Sequence, residues 1–303
     1  MPFAWFNGVF VDDNDATITM HDGGLLHGAG VFTTMLARRG NVILIDRHLA
    51  RLRTSCQTLG IPLAQSDDDL AAAASELLQR NEFDDARLRV TVTRGQSVRD
   101  AEGERFRPTS FMTAAPLPPM PPQLKERGMT VAVESEQKMS PFDIQAGHKT
   151  LDYFSRFASL REAAKKGAGE ALWFNVHNFL QSGCITNVFI VETIDGRDHL
   201  ITPPTNEDLR EEPVKKSCPY PKSNVLPGIT RGWIIEKAAS MNVGVQRLPI
   251  DINRLLAAKE VFVCNSIMGV MPVTMIEQKG VGDTGTPGEM TKQLAQAWET
   301  AFG

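Results

Sequence analysis

The chain has 303 residues, of which 42% are hydrophobic and 22% are charged, and its formal net charge at pH 7 is -4. These values are ordinary for a globular protein of one large or two average domains. Because the chain is slightly acidic and contains no block of lysine and arginine, its composition argues against a nucleic-acid-binding protein.

The four cysteines show no CxxC pairing and no histidine at metal-ligand spacing, so we predict neither a metal site nor a disulfide framework. The first residues lack a basic region followed by an apolar run, and no membrane span is expected. Together these patterns predict a cytoplasmic protein with reduced thiols.

Local signals predict two hairpins and two helices in the first half. Asn7-Gly8 marks the first hairpin, and Arg39-Gly40-Asn41 lies between predicted strands 31–37 and 42–45. Asp46 is the predicted N-cap of a helix over 47–59, which Gly60 ends, with an apolar stripe of Leu49, Leu52, Cys56 and Leu59. Ser66 is predicted to cap a helix through Arg80, and a strand with one buried face follows over 88–93.

A proline-rich segment, residues 116–122, divides the chain. Proline at this density fits neither a helix interior nor a central strand, so the segment is predicted to be a linker. We therefore expect a small α+β domain over 1–115, a linker over 116–123 and a larger α/β domain over 124–303.

The second half alternates predicted helices and strands. Asp152 is expected to cap a helix ending near Gly167 whose buried face is Phe154, Phe157, Leu160 and Ala164. Strands 171–174 and 188–191 are expected to be joined through a turn near His177. Residues 206–223 are charged and contain proline, which predicts a surface loop or insertion.

Towards the C-terminus, Gly228 is predicted to open a helix through Ala239, and Asp251 to cap a short helix. A buried strand is expected over 261–263. Thr286 is predicted to begin a capping box for the last helix.

Lys149 lies in the stretch Gly-His-Lys-Thr-Leu-Asp-Tyr, immediately before the helix predicted from Asp152. A lysine at such a boundary, followed far downstream by the Gly-Ile-Thr helix start at Gly228, suits an aldehyde cofactor with a phosphate tail. The amine would form a Schiff base, and the helix N-terminus would bind the phosphate. For a single lysine the alternative is an ordinary surface residue.

The order and spacing of these motifs resemble the fold-type IV pyridoxal-phosphate enzymes, over roughly residues 6–272. This family includes branched-chain and D-amino-acid aminotransferases and aminodeoxychorismate lyase. The resemblance implies a two-domain fold like that of D-amino-acid aminotransferase, with pyridoxal 5′-phosphate between the domains and Lys149 as the catalytic residue. It also implies a homodimer.

The resemblance assigns Arg51 to the cofactor phosphate, with Arg47 and Arg53 as competitors on the same helix. It assigns Ile229 and Thr230, in the first turn after Gly228, to the same phosphate. The second phosphate-contacting turn of the family corresponds here to Ser266 and Ile267.

At the cofactor ring, Tyr153 matches the tyrosine that many members place near the ring hydroxyl, although a core aromatic is an equal alternative. Ser182 stands where most members carry a glutamate beside the ring nitrogen. A serine can hydrogen-bond that nitrogen but cannot hold a proton on it. Either Gln181 or a more distant acid compensates, or the ring is a weaker electron sink.

On the substrate side, Phe32-Thr33-Thr34 replaces the aromatic residue and glutamate of many transaminases and resembles aminodeoxychorismate lyase; Phe32 and Thr34 are the expected substrate contacts. Arg99 matches the carboxylate-binding arginine of D-amino-acid aminotransferases, with a solvated loop charge as the alternative. The tyrosine and histidine that accompany it there correspond to Phe32 and Ala101, which disfavours the D-amino-acid function.

The resemblance therefore implies an enzyme acting on an amino-acid-type primary amine. The specific expectation is 4-amino-4-deoxychorismate lyase of folate biosynthesis, which forms 4-aminobenzoate and pyruvate. The alternatives are an amino-acid transaminase of the branched-chain kind and a cofactor-binding protein without robust turnover. No nucleic-acid or membrane partner is expected.

Overall fold

The computed structural model describes residues 2–100, 103–135 and 137–303. The chain divides into two compact units, Met1–Pro119 with His148–Tyr153 and Met120–Gly147 with Phe154–Gly303. The first crossing lies within the proline-rich segment. The short stretch around Lys149 belongs to the first unit although it is surrounded in sequence by the second. The predicted limits of 1–115, 116–123 and 124–303 remain a prediction.

The first unit is an antiparallel sheet with two long helices. Its elements are β1 (Phe3–Phe6), β2 (Val9–Asp12), α1 (Gly23–His27), β3 (Gly30–Arg38), β4 (Asn41–Val42), α2 (Ile45–Thr58), α3 (Asp67–Arg80), β5 (Ala86–Asp100) and β6 (Gly103–Pro116). The strand order is β2-β1-β6-β5-β3-β4. Leu49, Leu52 and Cys56 of α2 are buried in the core of this unit, as the apolar stripe predicts.

The second unit is a mixed sheet surrounded by helices. Its elements are α4 (Pro122–Arg127), β7 (Met129–Val133), α5 (Phe154–Lys165), β8 (Glu170–Phe174), β9 (Leu180–Gly183), β10 (Asn187–Ile194), β11 (Arg197–Thr202), α6 (Glu212–Ser217), α7 (Ile229–Ser240), β12 (Gly244–Arg247), α8 (Ile252–Ala257), β13 (Glu260–Asn265), β14 (Gly269–Ile276), β15 (Lys279–Gly280) and α9 (Glu289–Phe302). The order is β12-β11-β10-β13-β14-β7-β8-β9, with β15 paired to β14.

The local turn and cap signals are confirmed at several places. The hairpin at Asn7 forms, with Asn7 and Gly8 at positive φ of 48° and 97°. Ser66 caps α3 in a complete capping box with Asp69. Gly228 is the N-cap of α7 and Asp251 that of α8.

The start of α2 differs from the prediction. The return strand β4 has only two residues, and the chain turns at Leu44, whose φ is 53°, so that the helix already begins at Ile45. Asp46 is therefore not the N-cap. It lies in the first turn of α2, where a carboxylate favours the positive end of the helix dipole.

The predicted buried face of α5 is wrong at Phe154, Phe157 and Ala164, whereas Leu160 is partly buried and packs against the core as predicted. Phe154 is 83% and Phe157 is 61% exposed, whereas Ser159 and Ala163 are the buried residues of this helix. Ala163 packs in a cluster with Ala132, Ala168 and Ala171, together with larger side chains. Small side chains let the helix backbone approach the sheet, and large rings at the same contact would hold it away.

Three further predictions need correction. Strand β9, between the turn near His177 and β10, was not predicted. Residues 206–223 contain a 3₁₀ turn (Asp208–Arg210) and α6, and they bury Leu209, Val214 and Tyr220 in a small cluster of their own. The last helix begins at Glu289 with Gly288 as its N-cap, and Thr286 does not cap it.

The cap of α9 comes from another strand. The Glu260 carboxylate on β13 accepts the backbone N–H groups of Met290 and Thr291 at 3.1 and 2.8 Å. A Cβ on Gly288 would lie 2.0 Å from the Glu260 carboxyl carbon, so the glycine makes room for this contact. A long-range partner therefore replaces the local capping box.

Candidate active site

Lys149 lies in an extended stretch that pairs with β3 of the first unit. Its carbonyl accepts the backbone N–H of Phe32 at 2.9 Å, and Thr150 forms an antiparallel bridge with Val31. The backbone around Lys149 is therefore fixed against the start of β3. The side chain itself is partly buried.

The Lys149 amine is oriented by two aromatic residues. Its Nζ donates a hydrogen bond of 2.9 Å to the Tyr153 hydroxyl and lies 4.6 Å from the centroid of the Phe32 ring. The rings of Phe32 and Tyr153 meet edge to face at 5.2 Å. One oxygen acceptor and two aromatic rings thus fix the position of the amine.

Arg51 reaches the same region from α2. Its Nη2 donates to the Thr33 hydroxyl at 3.2 Å, and that hydroxyl lies 2.7 Å from Nδ1 of His48. Desolvation lowers the pKa of Arg51 to about 10, against the opposing effect of Tyr153, so Arg51 stays cationic at neutral pH. Burial, followed by the charges of Arg51 and Lys149, lowers the pKa of His48 well below its usual value.

A third cation, Arg89, was missed by the sequence analysis. Its guanidinium carbon lies 3.6 Å from the centroid of the Phe32 ring, and its Nε donates to the Thr91 hydroxyl at 3.0 Å. Desolvation lowers its pKa, against the opposing effect of Tyr153. Arg89 alternates with the buried face of β5, a pattern that the sequence contains. Its placement beside Phe32 depends on the register of β3 and β5, which the sequence does not specify.

Of the predicted substrate contacts, Phe32 and Thr34 lie on one face of the sheet, whereas Arg99 lies further along β5. Thr34 is the register partner of Arg89, so it shares with Phe32 the sheet face that bears Arg89. Arg99 is exposed and lies ten residues further along β5, beyond an irregularity of that strand between Thr93 and Gln96. Its assignment to a substrate carboxylate stays a prediction. Ala101 lies outside the described residues.

In the second unit, the start of α7 is built around Gly228. A Cβ there would lie 1.9 Å from Oδ1 of Asn187, whose Nδ2 donates to the Leu226 carbonyl at 3.0 Å. Gly228 provides no side-chain cap, and Ile229 and Thr230 form the first turn. The Thr230 hydroxyl is buried and has no hydrogen-bond partner among the described residues. A helix N-terminus with an unsatisfied hydroxyl is suited to an anion.

Ser266 and Ile267 form the turn between β13 and β14, also in the second unit. The Asn265 side-chain oxygen accepts the backbone N–H of Ile267 at 2.9 Å and that of Met268 at 2.8 Å. The N–H of Ile267 is therefore already engaged within the turn. Of the predicted pair, Ser266 carries the side-chain group that suits a phosphate.

Ser182 is buried on β9, immediately before a turn held by two opposite charges. The Glu170 carboxylate accepts the N–H groups of Cys184 and Ile185 at 2.9 and 3.1 Å. Arg156 donates to the Cys184 carbonyl at 2.8 Å. Burial raises the pKa of Glu170, although these hydrogen bonds oppose the shift. The Glu170 carboxylate therefore stabilises the turn that follows Ser182 by accepting its backbone N–H groups.

Gln181 is also engaged locally, since its Nε2 donates to the carbonyls of Phe179 and Leu180 at 3.3 and 3.0 Å. Its side-chain oxygen is buried and finds no hydrogen-bond partner in the part of the chain that the structure describes. The four cysteines form no disulfide. Across residues 2–100, 103–135 and 137–303, no cluster of His, Cys, Asp and Glu could hold a metal ion, and no helix is long and apolar enough to span a membrane.

The family model of class IV aminotransferases matches residues 30–276 of this chain. The chain belongs to the class IV aminotransferase family. A Methanocaldococcus jannaschii protein provisionally named a branched-chain-amino-acid aminotransferase is 29% identical, covering 97% of this chain and 94% of its own. The aminodeoxychorismate lyase of Bacillus subtilis is 25% identical, covering 96% and 91%.

Among solved structures, the branched-chain amino acid aminotransferase of Escherichia coli superposes with a TM-score of 0.86 at 26% identity, covering 99% of this chain and 94% of that one. The predicted fold-type IV architecture is thereby confirmed. As a class IV aminotransferase family member, the chain is an enzyme that uses pyridoxal 5′-phosphate.

The residues present fit this cofactor. The first unit supplies an amine next to a phenol, Lys149 and Tyr153, and the partly buried guanidinium of Arg51. The second unit supplies a helix N-terminus with the unpartnered Thr230 hydroxyl. These are groups suited to an aldehyde and to a phosphate.

Proposed function

We propose that the protein is an amino-acid transaminase of the branched-chain kind. The observation that carries the proposal is Arg89, a cation on the same sheet face as Phe32 and Thr34 and close to the group around Lys149. Every amino-acid substrate has a carboxylate, and a guanidinium binds a carboxylate in a fixed orientation. The lyase substrate also carries carboxylates, so the choice of a transaminase over the lyase rests on the similarity to branched-chain aminotransferases, at 29% against 25% for the lyase.

In this proposal, Lys149 holds the cofactor aldehyde and later takes the proton from the substrate's α carbon. Tyr153 accepts a hydrogen bond from the Lys149 amine and so fixes the direction in which the amine points. Pyridoxal phosphate, when bound, supplies an aldehyde carbon and a conjugated ring that takes up electrons from the α carbon. Arg89 binds the substrate carboxylate, with Phe32 and Thr34 beside it.

The proposal gives the cofactor's phosphate to Arg51, Ile229, Thr230 and Ser266, and its ring nitrogen to Ser182. Only the resemblance supports Ile267, because its N–H is engaged by Asn265. The Arg51 guanidinium and the unpartnered Thr230 hydroxyl support the phosphate assignments. Arg99 stays a proposed carboxylate ligand that only the resemblance supports. The resemblance is also the sole support for a homodimer, whereas the cytoplasmic location rests on the cysteine pattern.

The second candidate is the lyase expected from the sequence, which would place the protein in folate biosynthesis. Ser182 favours it, because aromatisation to 4-aminobenzoate supplies driving force that tolerates a weaker electron sink. Phe32-Thr33-Thr34 favours it as well, since it lacks the glutamate of many transaminases.

The deciding experiment is a half-reaction with the cofactor-loaded protein and one amino acid at a time, without a keto-acid acceptor. A transaminase converts the bound aldehyde to the amine form with valine, leucine or isoleucine, and we expect this result. A lyase leaves that spectrum unchanged and instead forms 4-aminobenzoate from 4-amino-4-deoxychorismate. Lys149→Ala should abolish either activity, whereas Lys165→Ala, at an exposed lysine paired with Glu162, should abolish neither.

A further inference from the structure

Thr33, His48 and Arg51 form a chain of hydrogen bonds inside the first unit. The Thr33 hydroxyl accepts from Arg51 at 3.2 Å and lies 2.7 Å from Nδ1 of His48. Thr33 is 0% and His48 1% exposed. None of the sequence motifs assigns a role to His48 or to Thr33.

Two proton arrangements of these hydrogen bonds keep Thr33 joined to both His48 and Arg51. A guanidinium only donates, so the Thr33 oxygen accepts from Arg51. Burial and the nearby charges of Arg51 and Lys149 keep His48 neutral, and a neutral imidazole has one acceptor nitrogen. In the Nε2–H tautomer the Thr33 hydroxyl donates to Nδ1 of His48, and in the Nδ1–H tautomer the ring donates to the second lone pair of the Thr33 oxygen. In both tautomers the hydroxyl joins His48 to Arg51.

The residues at the two ends of this hydrogen-bonded group are held in place by the fold. His48 and Arg51 are three residues apart on α2, so they share one face of that helix. The helix is anchored in the core by Leu49 and Leu52, which are 1% and 2% exposed. Thr33 lies on β3 and pairs with Val90 of β5. The hydroxyl thus restricts the Arg51 side chain between two elements that cannot move independently.

We propose that Thr33 and His48 are positioning residues that hold the Arg51 guanidinium ready for the phosphate of the cofactor. The inference rests on the proposed assignment of Arg51 to that phosphate. A long arginine side chain loses conformational freedom when it binds an anion, and a guanidinium ordered beforehand loses less. A threonine orders the guanidinium without compensating its positive charge. A glutamate at the same position would compensate that charge and so compete with the phosphate.

The test compares two ligands that differ only in the phosphate. The full-length protein, stripped of cofactor, is titrated with pyridoxal 5′-phosphate and with pyridoxal, and the ratio of the two affinities is the readout. Lys149 attaches to the aldehyde of both ligands, so its contribution cancels in the ratio. General damage to the fold also weakens both ligands and leaves the ratio unchanged.

Thr33→Val removes the hydroxyl at nearly constant volume. We expect it to weaken pyridoxal 5′-phosphate about tenfold while pyridoxal stays within about twofold. His48→Leu should act in the same direction. His48→Asn, whose side-chain amide offers both an acceptor oxygen and an N–H donor in place of Nδ1, should restore the ratio. Thr58→Val is the control, because this exposed hydroxyl on α2 only donates to the Thr54 carbonyl.

An unchanged ratio in Thr33→Val and His48→Leu, with normal wild-type binding, would overturn the positioning role and leave the proposed function intact. Failure of the wild type to bind either aldehyde would overturn the proposed function and this inference with it. If Thr33→Val does not fold, the comparison of His48→Asn with His48→Leu decides the question by the same ratio.

Discussion

The Arg231 guanidinium donates a hydrogen bond of 2.7 Å to the Asp208 carboxylate, and the two side chains are only 5% and 10% exposed. Arg231 directly follows Thr230 in the first turn of α7. Asp208 belongs to residues 206–223, which contribute no strand to the sheet of the second unit. A segment outside that sheet therefore fixes the start of the helix to which the phosphate is assigned.

Asp208→Asn should destabilise the protein by about 3 kcal/mol, because it leaves the buried Arg231 charge without its counter-charge. Glu211→Gln is the matched control in the same segment. Glu211 pairs with Arg247 at 2.9 Å but is 52% exposed, so its loss should cost about 1 kcal/mol or less. Urea unfolding of the two variants measures the difference. Equal losses would mean that the buried pair contributes no more than a surface pair.

The sequence predicted those elements whose signals are local. The turn at Asn7-Gly8, the capping box at Ser66 and the helix opening at Gly228 depend on residues within a few positions, and the structure contains all three. The failures share a different cause. The cap of α9 comes from Glu260, and the face that α5 buries is set by small residues on neighbouring strands. Neither partner is visible in a local window.

The same distinction applies to the site. Lys149 and Arg51 were identified because each lies in a short motif with a recognisable order. Arg89 was missed because its place beside Phe32 follows from the pairing of β3 with β5. His48 was missed because a histidine on a helix has many ordinary roles, and only the contact with Thr33 gives it a specific one.

Tyr153→Phe should lower turnover by about 10- to 100-fold, because it removes the acceptor that orients the Lys149 amine. The ring packing against Phe32 remains, so we expect thermal stability to change little. Steady-state kinetics and a melting curve separate the two effects.

The chain has one other tyrosine, Tyr220, which serves as the control. Its hydroxyl is buried beside the side chains of Gln181 and Cys218 but, among the described residues, has no partner in hydrogen-bond geometry. Tyr220→Phe should therefore leave turnover unchanged and leave stability the same or slightly higher. Equal loss of turnover in both variants would argue against a specific role for the Tyr153 hydroxyl.

His48 should make the folded state sensitive to mild acid. Its pKa in the folded protein is lowered well below the ordinary 6.5, so between these two values the unfolded chain binds more protons. The contribution of His48 to the free energy of unfolding is therefore fully present above pH 6.5, and it is lost as the pH falls below 6.5. Between pH 7 and 5.5, the wild type should lose about 1–2 kcal/mol more than His48→Asn. Urea unfolding at the two pH values measures this, and equal losses would show that His48 already titrates normally.

Ser182→Glu should make transamination faster. A carboxylate at this position would keep the ring nitrogen of the bound cofactor protonated, which a serine hydroxyl cannot do, and a stronger electron sink speeds removal of the α proton. We expect the half-reaction with a branched-chain amino acid to accelerate about tenfold, the equivalent of one pKa unit of added stabilisation. Ser182→Gln introduces a side chain of the same size as glutamate but without the charge, and it should give no acceleration. Stopped-flow rates for both variants test the charge directly, and equal rates would mean that the protein polarises the cofactor ring by a different route.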